Sequence, residues 1–330
     1  MLTSLSQNAV SHPGDHVVDL DLLQAFENGL DPSKPEAHLM ASRVLGYGEI
    51  STVFELDDPA FQGFAFKRLS IFETAVELDE YLATYNEYHW LLEEKIGIHL
   101  PTHGYASFVN KNGRPVFYII QEKVDSRTMA HHALMDCSQD EAVQLFAQVL
   151  QEFGKVIAFN TSQAKYQVAL DGQISNWAVV QRDDAPIHLI YVDTSSPLYR
   201  IDGAEQLNST LFLRPAPSFL RWALRIFLLD DVVNRYYDFR SVIIDLLGNL
   251  IKEDLEHLIP VFLPLANDFL QTEFVDPSPE PITEQEVVAY YNEDKKIWAL
   301  YASLRSFDRF LHNQLFRKHY PYILPGKVDR

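Results

Sequence analysis

The chain holds a single cysteine, Cys137, so no internal disulfide can form and the scaffold of a small disulfide-stapled secreted domain is excluded. Cations are scarce beside acids, 27 Lys and Arg against 46 Asp and Glu, for a net charge of -19. A surface of that sign repels phosphate backbones and anionic headgroups, which disfavours nucleic-acid binding and peripheral membrane attachment as main roles. No uninterrupted apolar run approaches the ~20 residues of a membrane helix. The two longest stretches, Ser218 to Val233 and Leu258 to Leu270, are broken by Arg221, Arg225, Asp230, Pro260 and Pro264 and read as core helices. The N-terminal Met1-Leu2-Thr3-Ser4 lacks a basic segment leading into an apolar one, so nothing marks the chain for secretion and a cytoplasmic protein is expected. Gly and Pro are modest at 13 and 17 residues while 47% of the chain is hydrophobic, which excludes disordered and fibrous classes. At 330 residues the chain can bury a core without staples.

Three regions emerge from the patterning. Residues 1–38 form an N-terminal extension punctuated by Pro13, Pro32 and Pro35, in which only Val17 to Phe26 suits a helix. Residues 39–124 read as short strands around one helix. The strand-like runs are Arg43 to Leu45, Thr52 to Leu56 and Phe64 to Leu69, followed by a helical period from about Glu73 to Ile96 that Gly97 and Pro101 end. A hairpin then pairs Tyr105 to Val109 with Val116 to Gln121 across Asn110-Lys111-Asn112-Gly113, a strong turn signal. Residues 125–330 are mainly helical. Ser138 and Glu141 have capping-box spacing ahead of a helix to about Phe159, and two short strands lie between Trp177 and Val192, joined by a turn from Gln181 to Pro186. The segment Asp276 to Pro281 separates two helices, and no internal repeat is visible.

Chemistry-bearing residues recur within this frame. Gly46-Tyr47-Gly48-Glu49-Ile50-Ser51 is a Gly-x-Gly turn between strands, where missing side chains let backbone amides approach a phosphate. Taken alone, the motif is better explained as a plain hairpin turn. Lys67 sits inside the apolar strand Phe64-Ala65-Phe66-Lys67, a place for a charge only if it meets a partner or reaches solvent at a sheet edge. Glu87, mid-helix and twenty residues on, is the candidate partner, with Glu80 a weaker rival. Asp171-Gly172-Gln173-Ile174-Ser175-Asn176 delivers an acid and an amide just before the strand Trp177 to Val180, and the second strand ends in Asp193. Oxygen donors carried to one end of adjacent strands suit Mg2+, although Asp and Asn also bracket ordinary hairpins. Lone Cys137 reads as a small buried residue, and His131-His132 lacks companions at metal-ligand spacing.

Taken in order, Gly46 to Val53, Lys67, Glu87, Asp171 with Asn176, and Asp193 resemble the signature set of protein kinases and, more nearly, of the small-molecule phosphotransferases such as aminoglycoside and choline kinases. The resemblance implies an α+β fold of two lobes, a small antiparallel-sheet lobe with one main helix and a larger helical lobe. It implies that Gly46, Gly48 and Ser51 lie over the phosphates of ATP, that Lys67 contacts them and is held by Glu87, and that Gln121 and Glu122 begin the hinge beside the adenine. It further implies that Asp171 accepts the proton of an acceptor hydroxyl while Asn176 and Asp193 hold Mg2+. The expected partners are a nucleotide and a small hydroxyl-bearing acceptor. Departures are specific: Ser51 replaces the third glycine, Ala169 and Leu170 replace the His and Arg that usually precede the catalytic acid, Gln173 stands where protein kinases place a cation, and Asp-Phe-Gly reads Asp193-Thr194-Ser195. They motivate an alternative, a pseudokinase-type module that binds nucleotide or a partner without turnover.

Overall fold

The computed structural model describes residues 18–48, 50–180, 188–217, 221, 230–274, 278–315 and 320–324. The expected turn from Gln181 to Pro186, most of the apolar stretch from Ser218, and the start of the Asp276 to Pro281 segment lie outside the described residues, as does Glu49 of the Gly-x-Gly turn.

The first lobe is a five-stranded antiparallel sheet in the order β1-β2-β3-β5-β4, built from β1 (Ser42–Tyr47), β2 (Ser51–Leu56), β3 (Phe64–Leu69), β4 (His103–Val109) and β5 (Pro115–Glu122). Strand side chains alternate between faces, and the register makes two separate surfaces from that alternation. Phe54 pairs with Phe66, and Phe66 with Ile120, on one face; Val53 pairs with Lys67, and Lys67 with Ile119, on the other. The first face buries Phe54, Phe64, Phe66, Val116, Tyr118 and Ile120 beneath α1 (Leu20–Gly29), which contributes Leu23 and Phe26. The helix starts on Asp19, whose side chain accepts the Leu22 amide, and it carries a buried acid, Glu27. Glu27 accepts two hydrogen bonds from the Arg68 guanidinium at 2.7 and 2.8 Å, one from Tyr118 and one from Asn110. Arg68 follows Lys67, so β3 sends one cation to each face.

The second face meets α2 (Ala75–Trp90), begun by Thr74 as cap and packed through Leu78, Tyr81, Leu82 and Tyr85. Sequence periodicity continues this helix to Ile96. The final six residues, Leu91 to Ile96, instead widen into a π-helical turn that Gly97 closes with a left-handed backbone, φ 80°. The hairpin of β4 and β5 turns on Asn110, whose side chain accepts the Asn112 and Arg114 amides, and on Gly113 at φ 75°.

The second lobe contains the helices α3 (Ala130–Asp136), α4 (Gln139–Ser162), α5 (Asp230–Arg235), α6 (Phe239–Lys252), α7 (Ile259–Glu273) and α8 (Glu284–Phe310). The expected capping box is formed: Ser138 accepts the Glu141 amide and Glu141 accepts the Ser138 amide. The core of α4, α6 and α7 closes around Phe146, Phe153, Trp177, Leu246, Leu247 and Phe262. Short strands supply the loops between the lobes: β7 (Trp177–Val180) pairs with β8 (His188–Tyr191), and β6 (Tyr166–Val168), β9 (Tyr199–Ile201) and β10 (Ala204–Glu205) form a second small sheet. Among the described residues no helix is long and apolar enough to cross a membrane. The architecture is thus an antiparallel sheet with one main helix followed by a larger helical lobe, the two-part α+β layout expected from the sequence.

Candidate active site

A cleft of about 1040 Å³ runs between the lobes, and Gly46, Gly48, Ser51, Lys67, Gln121, Glu122, Asp171, Asn176 and Asp193 all line it. Register explains the sheet's share. Val53, Ala65, Lys67 and Gln121 are directly paired positions on one face, Val53 with Lys67 and Ala65 with Gln121, so they project together beneath the Gly46 to Gly48 turn.

The lower wall follows from the β7/β8 hairpin. Trp177 pairs with Tyr191, and the Val192 amide donates to the Asn176 carbonyl at 2.9 Å, which fixes Asn176 and Asp193 at the same end of adjacent strands. Lys67 crosses from the upper lobe and places Nζ 2.8 Å from Asp193 Oδ1. Its side chain is 9% exposed and that of Asp193 is 34% exposed. The same Oδ1 accepts from the Ser195 amide at 3.1 Å and the Ser195 hydroxyl at 2.7 Å. Burial raises the Asp193 pKa, but the Lys67 charge and the hydrogen bonds from Lys67 and Ser195 outweigh it, so the carboxyl is held below its usual range. Asp193 is therefore ionised at neutral pH.

Three donors converge on Oδ1, and the other carboxylate oxygen of Asp193 has no partner among the described residues. Asn176 is 9% exposed, and its Nδ2 is buried without an acceptor. A buried amide left unsatisfied is costly. The free carboxylate oxygen of Asp193 is the kind of donor a hard divalent cation takes, and of the Asn176 amide only the oxygen could join it, since the unsatisfied Nδ2 is a hydrogen-bond donor that calls for an acceptor.

Asp171 sits on a loop held from two sides by tyrosines. The Tyr88 hydroxyl donates to the Ala169 carbonyl at 2.8 Å, and the Asp171 amide donates to the Tyr191 hydroxyl oxygen at 3.1 Å. Ala169 and Leu170 are fully buried. Apolar burial and two buried phenols, one from α2 and one from β8, therefore hold this loop in place. Gly172 is required by a close approach: a Cβ there would lie 2.5 Å from the Val242 carbonyl oxygen of α6.

Glu87 is a correction to the sequence expectation. Its carboxylate accepts hydrogen bonds from Tyr166 at 3.1 Å and Tyr199 at 3.2 Å and does not reach Lys67. Helix α2 is instead tied to the loop that follows Asp193 by Tyr81, whose hydroxyl donates to the Ser195 carbonyl at 2.8 Å. The aromatic ridge Tyr81, Tyr85 and Tyr88 takes the buried face of α2 and turns Glu87 aside, because phenol rings bury more apolar area than a carboxylate can. Gln121 also differs in role: its side chain donates to the Val192 carbonyl at 3.2 Å, bracing the lower loop from the hinge strand. The Glu122 and Lys123 amides are taken by the Thr102 and Gly63 carbonyls, and Val124 beyond them also lines the cleft. In the Gly-x-Gly turn the Gly48 amide donates to Ser51 O at 3.0 Å, while a Cβ on Gly46 would meet nothing within 4 Å. The space above Gly46 is open to a ligand.

Sequence reasoning missed the contribution of α6. Its Asn249, 4% exposed, accepts the Ser175 amide at 3.3 Å and the Ser175 hydroxyl at 3.4 Å, and its Lys252 donates to Gln173 at 2.8 Å. Both line the cleft. His131 and His132 line it too, with His131 Nε2 4.0 Å from Glu253 and His132 bonded to the Ser126 carbonyl. Cys137 is half-buried, and burial pushes its thiol pKa up, which leaves it protonated and inert.

No curated protein matches the sequence. Among solved structures the chain is similar to a GDP complex of a mutant aminoglycoside phosphotransferase, at 10% identity over 73% of this chain and 94% of that one, TM-score 0.33. A complex of an aminoglycoside phosphotransferase with GDP and kanamycin matches at 10% identity over 78% and 99%, TM-score 0.33. WaaP bound to acyl carrier protein matches at 15% identity over 76% and 95%, TM-score 0.31. Likeness at this level defines no function. The family model that matches residues 37–309 takes in the sheet, the whole cleft wall and most of the helical lobe, and the chain belongs to the family it describes, DUF6206, a family of unknown function.

Proposed function

We propose that this chain is an ATP- and Mg2+-dependent phosphotransferase acting on a small hydroxyl-bearing molecule. The observation that carries the reading is the Lys67 to Asp193 ion pair at 2.8 Å, spanning two lobes and 126 residues inside a cleft also lined by Asp171 and Asn176.

In this reading the triphosphate lies under the Gly46 turn with the Lys67 ammonium on its oxygens, and the base lies toward Val124. Asn176 and the free oxygen of Asp193 would hold Mg2+, which supplies positive charge between the phosphates. Asp171 accepts the proton of the acceptor hydroxyl as the acceptor oxygen bonds to the γ-phosphorus. The bond from that phosphorus to the bridging oxygen breaks, and ADP leaves with the electron pair. Positioning carries most of the acceleration, since little covalent chemistry falls to the protein. The two tyrosines that clamp the Asp171 loop serve this by fixing the base without a His-Arg pair.

Asp171→Asn tests the assignment. Nucleotide-induced stabilisation should persist while transfer to a hydroxyl acceptor falls at least about a hundredfold, the ordinary worth of a general base. Transfer at the wild-type rate in that variant overturns the role of Asp171. A second reading, nucleotide binding without turnover, is favoured by one observation, that among the described residues Lys67 pairs with Asp193 and with no glutamate. ATP bound by the wild type with no phosphate transferred to any hydroxyl acceptor would select it.

A further inference from the structure

Helix α6 lies as close to the Asp171 loop as backbones permit, because Gly172 presents only hydrogen to the Val242 carbonyl. From Val242, the same helix face returns at Asn249 and Lys252, seven and ten residues on. Asn249 takes both donors of Ser175, and Lys252 Nζ donates to Gln173 Oε1 at 2.8 Å. Gln173 also meets the carboxylate twice: its backbone N–H donates to Asp171 Oδ1 at 3.2 Å, and the side-chain Nε2 donates to Oδ2 at 3.4 Å. The result is a relay of ammonium, amide and carboxylate across the floor of the cleft.

A lysine in the last turn of a helix ordinarily reaches outward, since the helix dipole favours a cation there without any partner. Lys252 occupies that turn with its side chain 25% exposed, yet its ammonium is directed at the catalytic-type loop. Its nearest carboxylate, Glu253, lies 3.6 Å away, longer than its bond to Gln173. The structure thus brings a cation to Gln173, two residues past Asp171, from 79 residues away.

We propose that Lys252 supplies the positive charge on the transferring phosphoryl group and that Gln173 is its positioning residue. The inference rests on the phosphotransferase reading above and adds a group to it. The ammonium would contact an oxygen of the γ-phosphoryl and neutralise charge as the bond to the bridging oxygen lengthens. A contact with the γ-phosphoryl alone predicts discrimination between triphosphate and diphosphate.

The test is calorimetric titration of the full chain, in Mg2+, with ADP and with a non-hydrolysable β,γ-imido analogue of ATP. Lys252→Met should weaken the triphosphate analogue about tenfold or more, the worth of one charge-assisted hydrogen bond, and leave ADP within about twofold. Lys252→Arg should recover most of the loss, and Gln173→Leu should show an intermediate loss confined to the triphosphate. Equal weakening of both nucleotides in Lys252→Met, or unchanged triphosphate affinity, overturns the inference. If Lys252→Met does not fold, unaltered triphosphate affinity in Gln173→Leu overturns it alone. The parent reading fails differently: the wild type would bind neither nucleotide, or Lys67→Ala would bind both as well as the wild type, and that result removes this inference with it.

Discussion

Replacing Glu27 with leucine is a severe perturbation that the primary structure gives little reason to expect. Its side chain is 1% exposed and that of Arg68 4%. Burial pushes the Glu27 pKa up, but the Arg68 charge and the hydrogen bonds from Arg68, Tyr118 and Asn110 outweigh it, and the carboxyl stays below the usual range. Removing the acid strands a buried guanidinium, which costs about 3–5 kcal/mol. For a chain of 330 residues an unfolding entropy of roughly 2.1 cal/mol/K per residue gives about 0.7 kcal/mol/K, so the melting temperature should fall by roughly 4–7 °C. The double variant Glu27→Leu/Arg68→Met should recover most of that loss, because a buried pair replaced by apolar groups of similar volume is near neutral. The assay is scanning calorimetry of the two variants beside the wild type. A fall under about 1 °C for the single variant, or a double variant less stable than the single, refutes the reasoning. The pair matters to the cleft because Arg68 and Lys67 are consecutive on β3, so the anchor on one face steadies the ammonium on the other.

Two further perturbations follow from the same geometry. Gly172→Ala forces a methyl into the Val242 carbonyl, so the Asp171 loop must leave α6; overpacking of this kind costs about 1–3 kcal/mol, and chemical denaturation should show a lower midpoint, with an unchanged midpoint contradicting the packing. His89 is buried beside His103, and burial followed by repulsion from His103 pushes its pKa down to about 2. Unfolding frees it to bind a proton at its ordinary value near 6.5, so its contribution is intact above that pH and is lost as pH falls toward 2. Between pH 6.5 and 5 the loss is about 2 kcal/mol at 1.36 kcal/mol per unit. His89→Leu should flatten that slope in denaturation curves taken across the interval, and an equally steep slope in the variant would show that another group titrates.

Much of this fold was legible because its local signals agree. Strands β3 and β7 fall where short apolar runs between turn residues place them, Phe64 to Leu69 and Trp177 to Val180, and the Ser138 to Glu141 capping box forms as its spacing requires. The three strands of the second small sheet have two or three residues each, too few for alternation to show. The buried acid of α1 was hidden for another reason: its partner is 41 residues away, and a lone glutamate in a short helix looks solvated. Within the cleft, Lys67 stood out because a charge broke an apolar strand. Glu87 did not pair with it because helix phase, set by Tyr81, Tyr85 and Tyr88, decides which side chains face the sheet, and an acid between aromatic positions carries no sign of its own direction. Asn249 and Lys252 were unreadable as site residues. Their relation to Ser175 and Gln173 exists only through the α6 packing that Gly172 allows.

The most direct measurement is the melting temperature of the wild type and Lys67→Ala, each with and without saturating Mg2+-ATP. A ligand at about 100 times its dissociation constant stabilises the folded state by about 2.7 kcal/mol, so the wild type should melt several degrees higher with nucleotide and Lys67→Ala should gain little. No rise in the wild type, or an equal rise in both, contradicts a nucleotide held by the lysine that bridges the two lobes.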